Sequence, residues 1–177
     1  NKNILYVGND HGVYISLNQG KTWEPFNKGL TSAAVHDLVI QTDEQHLLVG
    51  THGRSIYLAD IKKIQDLSDE ILQSSLYIYP LKNVKKSNSW GVQRSIWSQA
   101  YTPKLDMTLF SSFSTGYNIS INDSDGNNVY KSEGKLDKGF NFVNYDLMDN
   151  NEYLDKGLYK VLIITDNDNL EKEFQIQ

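Results

Sequence analysis

A chain of 177 residues has room for one large or two small domains. It contains no cysteine, which excludes disulfides and thiolate metal sites, and its net charge of −5 argues against a nucleic-acid binder. No run of about 18 apolar residues is present, so nothing in the sequence reads as a membrane span, and 11 tyrosines beside scarce alanine favour strands over helices.

The chain opens Asn1-Lys2-Asn3, with neither an initiator Met nor a leader, and reads as an excised or processed piece. Leu5-Tyr6-Val7-Gly8 leads into Asn9-Asp10-His11-Gly12-Val13-Tyr14-Ile15, a strand, a Gly-bearing turn and a second strand. The phrase returns as Leu47-Leu48-Val49-Gly50, followed by Thr51-His52-Gly53-Arg54-Ser55-Ile56-Tyr57-Leu58. The offset from Leu5 to Leu47 is 42 residues, inside the ~40–45 of a four-stranded propeller blade.

Between the copies lies Ser16-Leu17-Asn18-Gln19-Gly20-Lys21-Thr22-Trp23. It has the form Ser-x-Asp-x-Gly-x-Thr-Trp, with Asn18 in the Asp position. The segment resembles the Asp-box, or bacterial neuraminidase repeat, of sialidase-like, xyloglucanase-like and sortilin-type propellers. That resemblance implies a turn between the third and fourth strands of a blade. Ser16, Asn18, Gly20, Thr22 and Trp23 then have structural roles, with the Trp packed between blades. Asn18 keeps the oxygen with which an Asx side chain bonds amides of its own turn, and Gly20 supplies a positive φ. Val35–Ile40 follows as the innermost strand of the next blade, and His46–Asp60 resembles the final blade of sortilin-type bacterial propellers.

After Asp60 the apolar residues Ile61, Ile64, Leu67 and Ile71 approach helical spacing. Leu76–Pro80 reads as a strand, taken here as the outer strand of the last blade. Lys82–Ser89 is polar and aperiodic, as in a linker. From Trp90 onward come short strand candidates: 95–101, 105–110, 117–121, 128–131, 140–146, 157–165 and 171–176. Asp123–Asn127, Asp137–Gly139 and Asp166–Asn169 supply turn residues between them. About seven strands in ~80 residues is the pattern of a β-sandwich. Ile121 to Gly126, Gly139-Phe140-Asn141 to Asp146, and Gly157-Leu158-Tyr159 resemble the small immunoglobulin-like domains appended to bacterial secreted enzymes and hook-capping proteins.

Few side chains suggest chemistry. His11 and His52 fall in equivalent turns, without zinc-type ligand spacing. His52 and Arg54 stand out as a binding pair: at a channel rim, Arg54 is suited to holding a carboxylate or phosphate in bidentate fashion. The competing role for Arg54 is bonding to blade-edge carbonyls. Asp37, on the innermost strand, is the best single carboxylate. Glycoside hydrolysis needs two of them across a cleft, and Asp10, Asp37, Asp43 and Glu44 lie in no context that marks a catalytic pair. Asp123–Asn128 misses the calcium-loop spacing and is read as a hairpin turn. Lys82, Lys85, Lys86 and Arg94 read as a solvated linker.

The sequence therefore predicts an all-β chain: the last blades of an Asp-box propeller over 1–80, a linker over 81–93 and an immunoglobulin-like β-sandwich over 94–177. The expected function is a non-catalytic binding or scaffold role in a secreted or periplasmic protein, with location inferred from the resemblance. The alternative is the structural portion of a sialidase- or xyloglucanase-like glycoside hydrolase. Expected partners are the remaining blades of its own propeller or a second copy, and a protein or glycan ligand. Neither nucleic acid, nor a membrane span, nor a metal or other cofactor is expected.

Overall fold

A computed structural model of the chain describes residues 1–26, 29, 30 and 32–177. Among these described residues the chain is all-β apart from two short helices, and its sheets are small and antiparallel. It divides into two compact units, Asn1–Ser68 and Asp69–Gln177. No helix among the described residues is long and apolar enough to cross a membrane.

The first unit holds two three-stranded sheets. One contains β1 (Leu5–Asn9), β2 (Gly12–Ser16) and the two-residue β3 (Glu24–Pro25), in that order. The other contains β4 (Val35–Gln41), β5 (His46–Thr51) and β6 (Ile56–Asp60). The repeat seen in sequence becomes a repeat in register. Tyr6 pairs with Ile15 and Gly8 with Val13 on β1–β2; Leu48 pairs with Leu58 and Gly50 with Ile56 on β5–β6. Because side chains alternate across a strand, Tyr6, Gly8, Val13 and Ile15 share one face of the first sheet. Leu48, Gly50, Ile56 and Leu58 share the equivalent face of the second.

The two sheets meet through non-equivalent faces. Val13 from the first sheet and Leu47 and Val49 from the second are buried in one cluster with Ile61, and Tyr6, Leu38 and Tyr57 pack against it. Gly8 makes this approach possible. A Cβ there would collide with Val35 of β4, coming within 2.8 Å of its Cβ and closer still to Cγ1. Leu47 is fully buried, whereas Ile56 and Leu58, on the other face of the same sheet, are 73% and 62% exposed. The short helix α1 (Lys62–Gln65) follows β6. It lies just after Ile61, which is itself fully buried.

The second unit begins with helix α2 (Asp69–Gln73) and strand β7 (Leu76–Ile78). Its larger strands are β8 (Leu105–Ser111), β9 (Thr115–Asn122), β10 (Asn128–Leu136) and β11 (Gly139–Tyr145). A two-residue hairpin, β12 (Met148–Asp149) and β13 (Glu152–Tyr153), precedes β14 (Gly157–Thr165) and β15 (Asn169–Ile176). One sheet runs β10-β9-β14-β15 and another β11-β8-β7. Both feed one core: Ile119, Ile121, Val161, Ile163 and Phe174 from the first, and Ile78, Leu105, Met107 and Leu109 from the second. Strand alternation puts Tyr159, Val161 and Ile163 inside. It leaves Lys160 outside, 2.9 Å from Glu171 across the β14–β15 pair.

Three sequence expectations change here. Leu76–Ile78 is hydrogen-bonded to β8, not to β6, so it serves the second unit and not the sheet containing β6; Leu76 and Ile78 are buried in that unit's core. The stretch expected as a linker is tied alongside β15. The Val84 amide donates to the Gln175 carbonyl at 2.9 Å, and the Lys86 amide to the Gln177 carbonyl at 2.8 Å. The expected strand 95–101 is a loop with turns. Its Ser95 carbonyl accepts from the Ser98 amide at 3.1 Å, a local turn bond in place of a ladder.

Candidate functional site

The box turn is built from its own side chains. Ser16 ends β2 fully buried. Its Oγ accepts from the Gly20 amide at 2.8 Å and donates to Asn18 Oδ1 at 3.0 Å. Asn18 Oδ1 also accepts from the Thr22 amide at 2.9 Å, while Asn18 Nδ2 donates to Thr22 Oγ1 at 2.8 Å. The chain reverses through Gln19 and Gly20, with φ of 59° and 84°. A Cβ on Gly20 would touch both Leu5 and the Trp23 ring. Ser16, Asn18, Gly20 and Thr22 thus form one hydrogen-bonded turn, with the Trp23 ring close to Gly20.

The candidate binding residues gather at one end of the second sheet. Asp37 pairs with Gly50 across the β4–β5 ladder, and the register slips between Val35 and Asp37. His36 is the residue left over by that bulge, and a bulge re-aims side chains. Its ring stacks on that of His52, with centroids 5.0 Å apart and planes 17° apart. The His52 amide donates to the Ala34 carbonyl at 2.9 Å, which fixes the β5–β6 turn against the start of β4. Thr51 closes the turn, its amide and its hydroxyl both donating to the Ser55 carbonyl.

Arg54 projects from this turn. Among the described residues its side chain makes no hydrogen bond or ion pair, so the carbonyl-bonding role weighed for it is not seen there. Asp37 is turned to a local task, since its Oδ1 accepts from the Leu38 amide at 2.9 Å. The structure brings His52 and Asp37 to the same end of the sheet through His36 and Gly50, and leaves Arg54 on the loop beyond them.

The turn differs from its counterpart in the first copy. Two residues separate Asn9 from Gly12, and three separate Thr51 from Ser55, so Ser55 occupies the place of Gly12. Gly12 has φ of 132° and Ser55 has φ of 112°. A glycine adopts that backbone freely and a serine only under strain, which costs about 1–3 kcal/mol.

Sequence reading missed two features. The His36–His52 stack depends on a bulge that leaves no signature in composition. The loop from Val92 to Tyr101, which includes the strand candidate 95–101, exposes Ile96 and Trp97, the latter 91% exposed. On the hairpin turn Asp123–Asn127 the reading as a plain turn matches the geometry. Asp123 Oδ1 accepts from the amides of Asp125 and Asn127, and Oδ2 from Asn127 Nδ2. The Asn127 side chain foremost holds the Asp123 carboxyl below the usual carboxylate range.

No protein-family model matches the chain, and no curated protein matches it. Among solved structures it is similar to the crystal structure of dimeric latent PorU from Porphyromonas gingivalis. The identity is 9% and the TM-score 0.34, over 74% of this chain and 12% of that one. The chain therefore spans a small part of that protein's length.

Proposed function

We propose that this chain is a non-catalytic binding or scaffold part of a secreted or periplasmic protein, its first unit being blades of an Asp-box β-propeller and its second an immunoglobulin-like sandwich. Three features support the fold part of this reading. The first is a repeat that holds in sequence and in register. The second is the closed hydrogen-bond set among Ser16, Asn18 and Thr22. The third lies in the other unit: Tyr159, near the start of β14, donates its hydroxyl to the Asp155 carbonyl at 2.9 Å. A tyrosine bonded back to the backbone a few residues upstream is the corner found in immunoglobulin-like sandwiches.

One observation carries the binding part: a strained turn presents Arg54 to solvent beside the stacked pair His36–His52. A guanidinium with no protein partner among the described residues, carried on the same turn as His52, suits an anionic group on a glycan or protein, held as a fork.

Titrating the isotope-labelled chain with a carboxylated glycan such as sialyllactose, followed by amide chemical shifts, tests this. Shifts should cluster on residues 51–56 and on His36 and Asp37, and Arg54→Ala should remove them. Absence of any change up to millimolar ligand, or an equal response in Arg54→Ala, would sink the anion-binding role.

A further inference from the structure

The inner interface of the first unit states what its two outer faces are made to meet. Tyr6 and Val13, on the Tyr6–Gly8–Val13–Ile15 face of the first sheet, pack in one cluster with Leu47, Val49 and Tyr57 of the second, and Gly8 lies against Val35 and Leu38. In the repeat, Leu48, Gly50, Ile56 and Leu58 are the equivalents of that first-sheet face. Leu5, Val7 and Tyr14 are the equivalents of Leu47, Val49 and Tyr57, and residue for residue they are the same types: Leu, Val and Tyr. Both equivalents face solvent. Ile56 and Leu58 are exposed on one side, and Leu5 and Val7 are 41% and 42% exposed on the other. One chain thus carries both halves of an interface that it already forms once internally. We propose that copies of this chain bind one another head to tail, the Leu48–Gly50–Ile56–Leu58 face of one covering the Leu5–Val7–Tyr14 face of the next. The inference rests on the repeat invoked above and not on any ligand.

The contact is heterologous, because the two faces differ, so it does not close at a dimer and assemblies grow with concentration. It is also weaker than the internal interface. The first sheet has β1 at its edge and brings no counterpart of β4, whose Val35 fills the space above Gly8. A patch of three or four apolar side chains a side falls at the small end of specific interfaces, where association is weak.

Sedimentation velocity on the full chain, from low micromolar to near millimolar, reads this out. The wild type should show a weight-average coefficient that keeps rising with concentration. Leu58→Asp and Val7→Asp each place a charge in one face and should each raise the concentration needed for association by about ten-fold or more. Both positions are exposed in the single chain, so neither change threatens folding. The decisive sample is an equal mixture of the two variants. Each retains the face the other has lost, so the mixture should form a dimer and stop there. A wild type that stays monomeric throughout, a mixture no more associated than its components, or association that survives both changes would overturn the proposal. A monomeric wild type would leave the glycan titration and the internal sheet packing untouched, since neither involves a second copy.

Discussion

At the scale of single residues, the box turn shows which part of a motif does physical work. Asn18 stands where the resemblance has Asp, yet its Oδ1 makes the same kind of acceptor bonds, and its Nδ2 adds a donor bond to Thr22. Asn18→Ala removes all of these and leaves the Thr22 amide without its acceptor. The expected loss is about 1–2 kcal/mol of stability, seen as a lower urea midpoint, whereas Asn18→Asp should retain most of it. An unchanged midpoint in the alanine variant would mean that the side-chain bonds contribute nothing net. This turn was legible in the sequence because its residue types are dictated by local bonds. The His36–His52 stack was not, because it depends on a register slip in β4 that no local preference encodes.

At the scale of elements, two equivalent glycines face different surroundings. A Cβ on Gly8 would push into Val35, while a Cβ on Gly50 would meet Asp37 only at ordinary distances, 3.6 Å and beyond. Gly8→Ala should therefore cost about 1–3 kcal/mol through overpacking between the sheets. Gly50→Ala should be close to neutral, and thermal melts of the two variants decide the matter. Equal effects would show that the sheets are not held at the spacing described. The strands of the second unit were read well where alternation is strong, as in Tyr117–Ile121 and Phe140–Val143. Two readings went astray for want of tertiary information. Asn128–Lys131 extends to Leu136 through polar residues that only the pairing with β9 makes a strand. Leu76–Ile78 fits any sheet by composition, and its partner β8 lies some thirty residues on.

At the scale of the whole molecule, tyrosine ionisation links both units to pH. Burial pushes the Tyr6 hydroxyl up to about 12 from 10.0, against a smaller opposing effect of Gln65. In the second unit burial raises Tyr145 and Tyr159 as well, with Asp149 and Asp155 adding in the same direction. A raised value means that the folded state holds the proton after the unfolded chain has lost it. The stabilising effect is complete below the unfolded value near 10 and disappears as pH climbs through the folded one. Stability should fall between pH 10 and 12 for the first unit, and over the alkaline range above 10 for the second. Tyr6→Phe should flatten the first unit's share, measured by urea titration at stepped pH. A decline in Tyr6→Phe as steep as in the wild type would remove this tyrosine as its source.

The serine at the place of Gly12 has one more consequence. Backbone strain at Ser55 raises the free energy of its turn. If a ligand held beside Arg54 as proposed lets Ser55 relax, the released strain adds to its affinity. Its twin at Gly12, already at ease, has nothing to release, and two turns of common design thus differ in their capacity to respond.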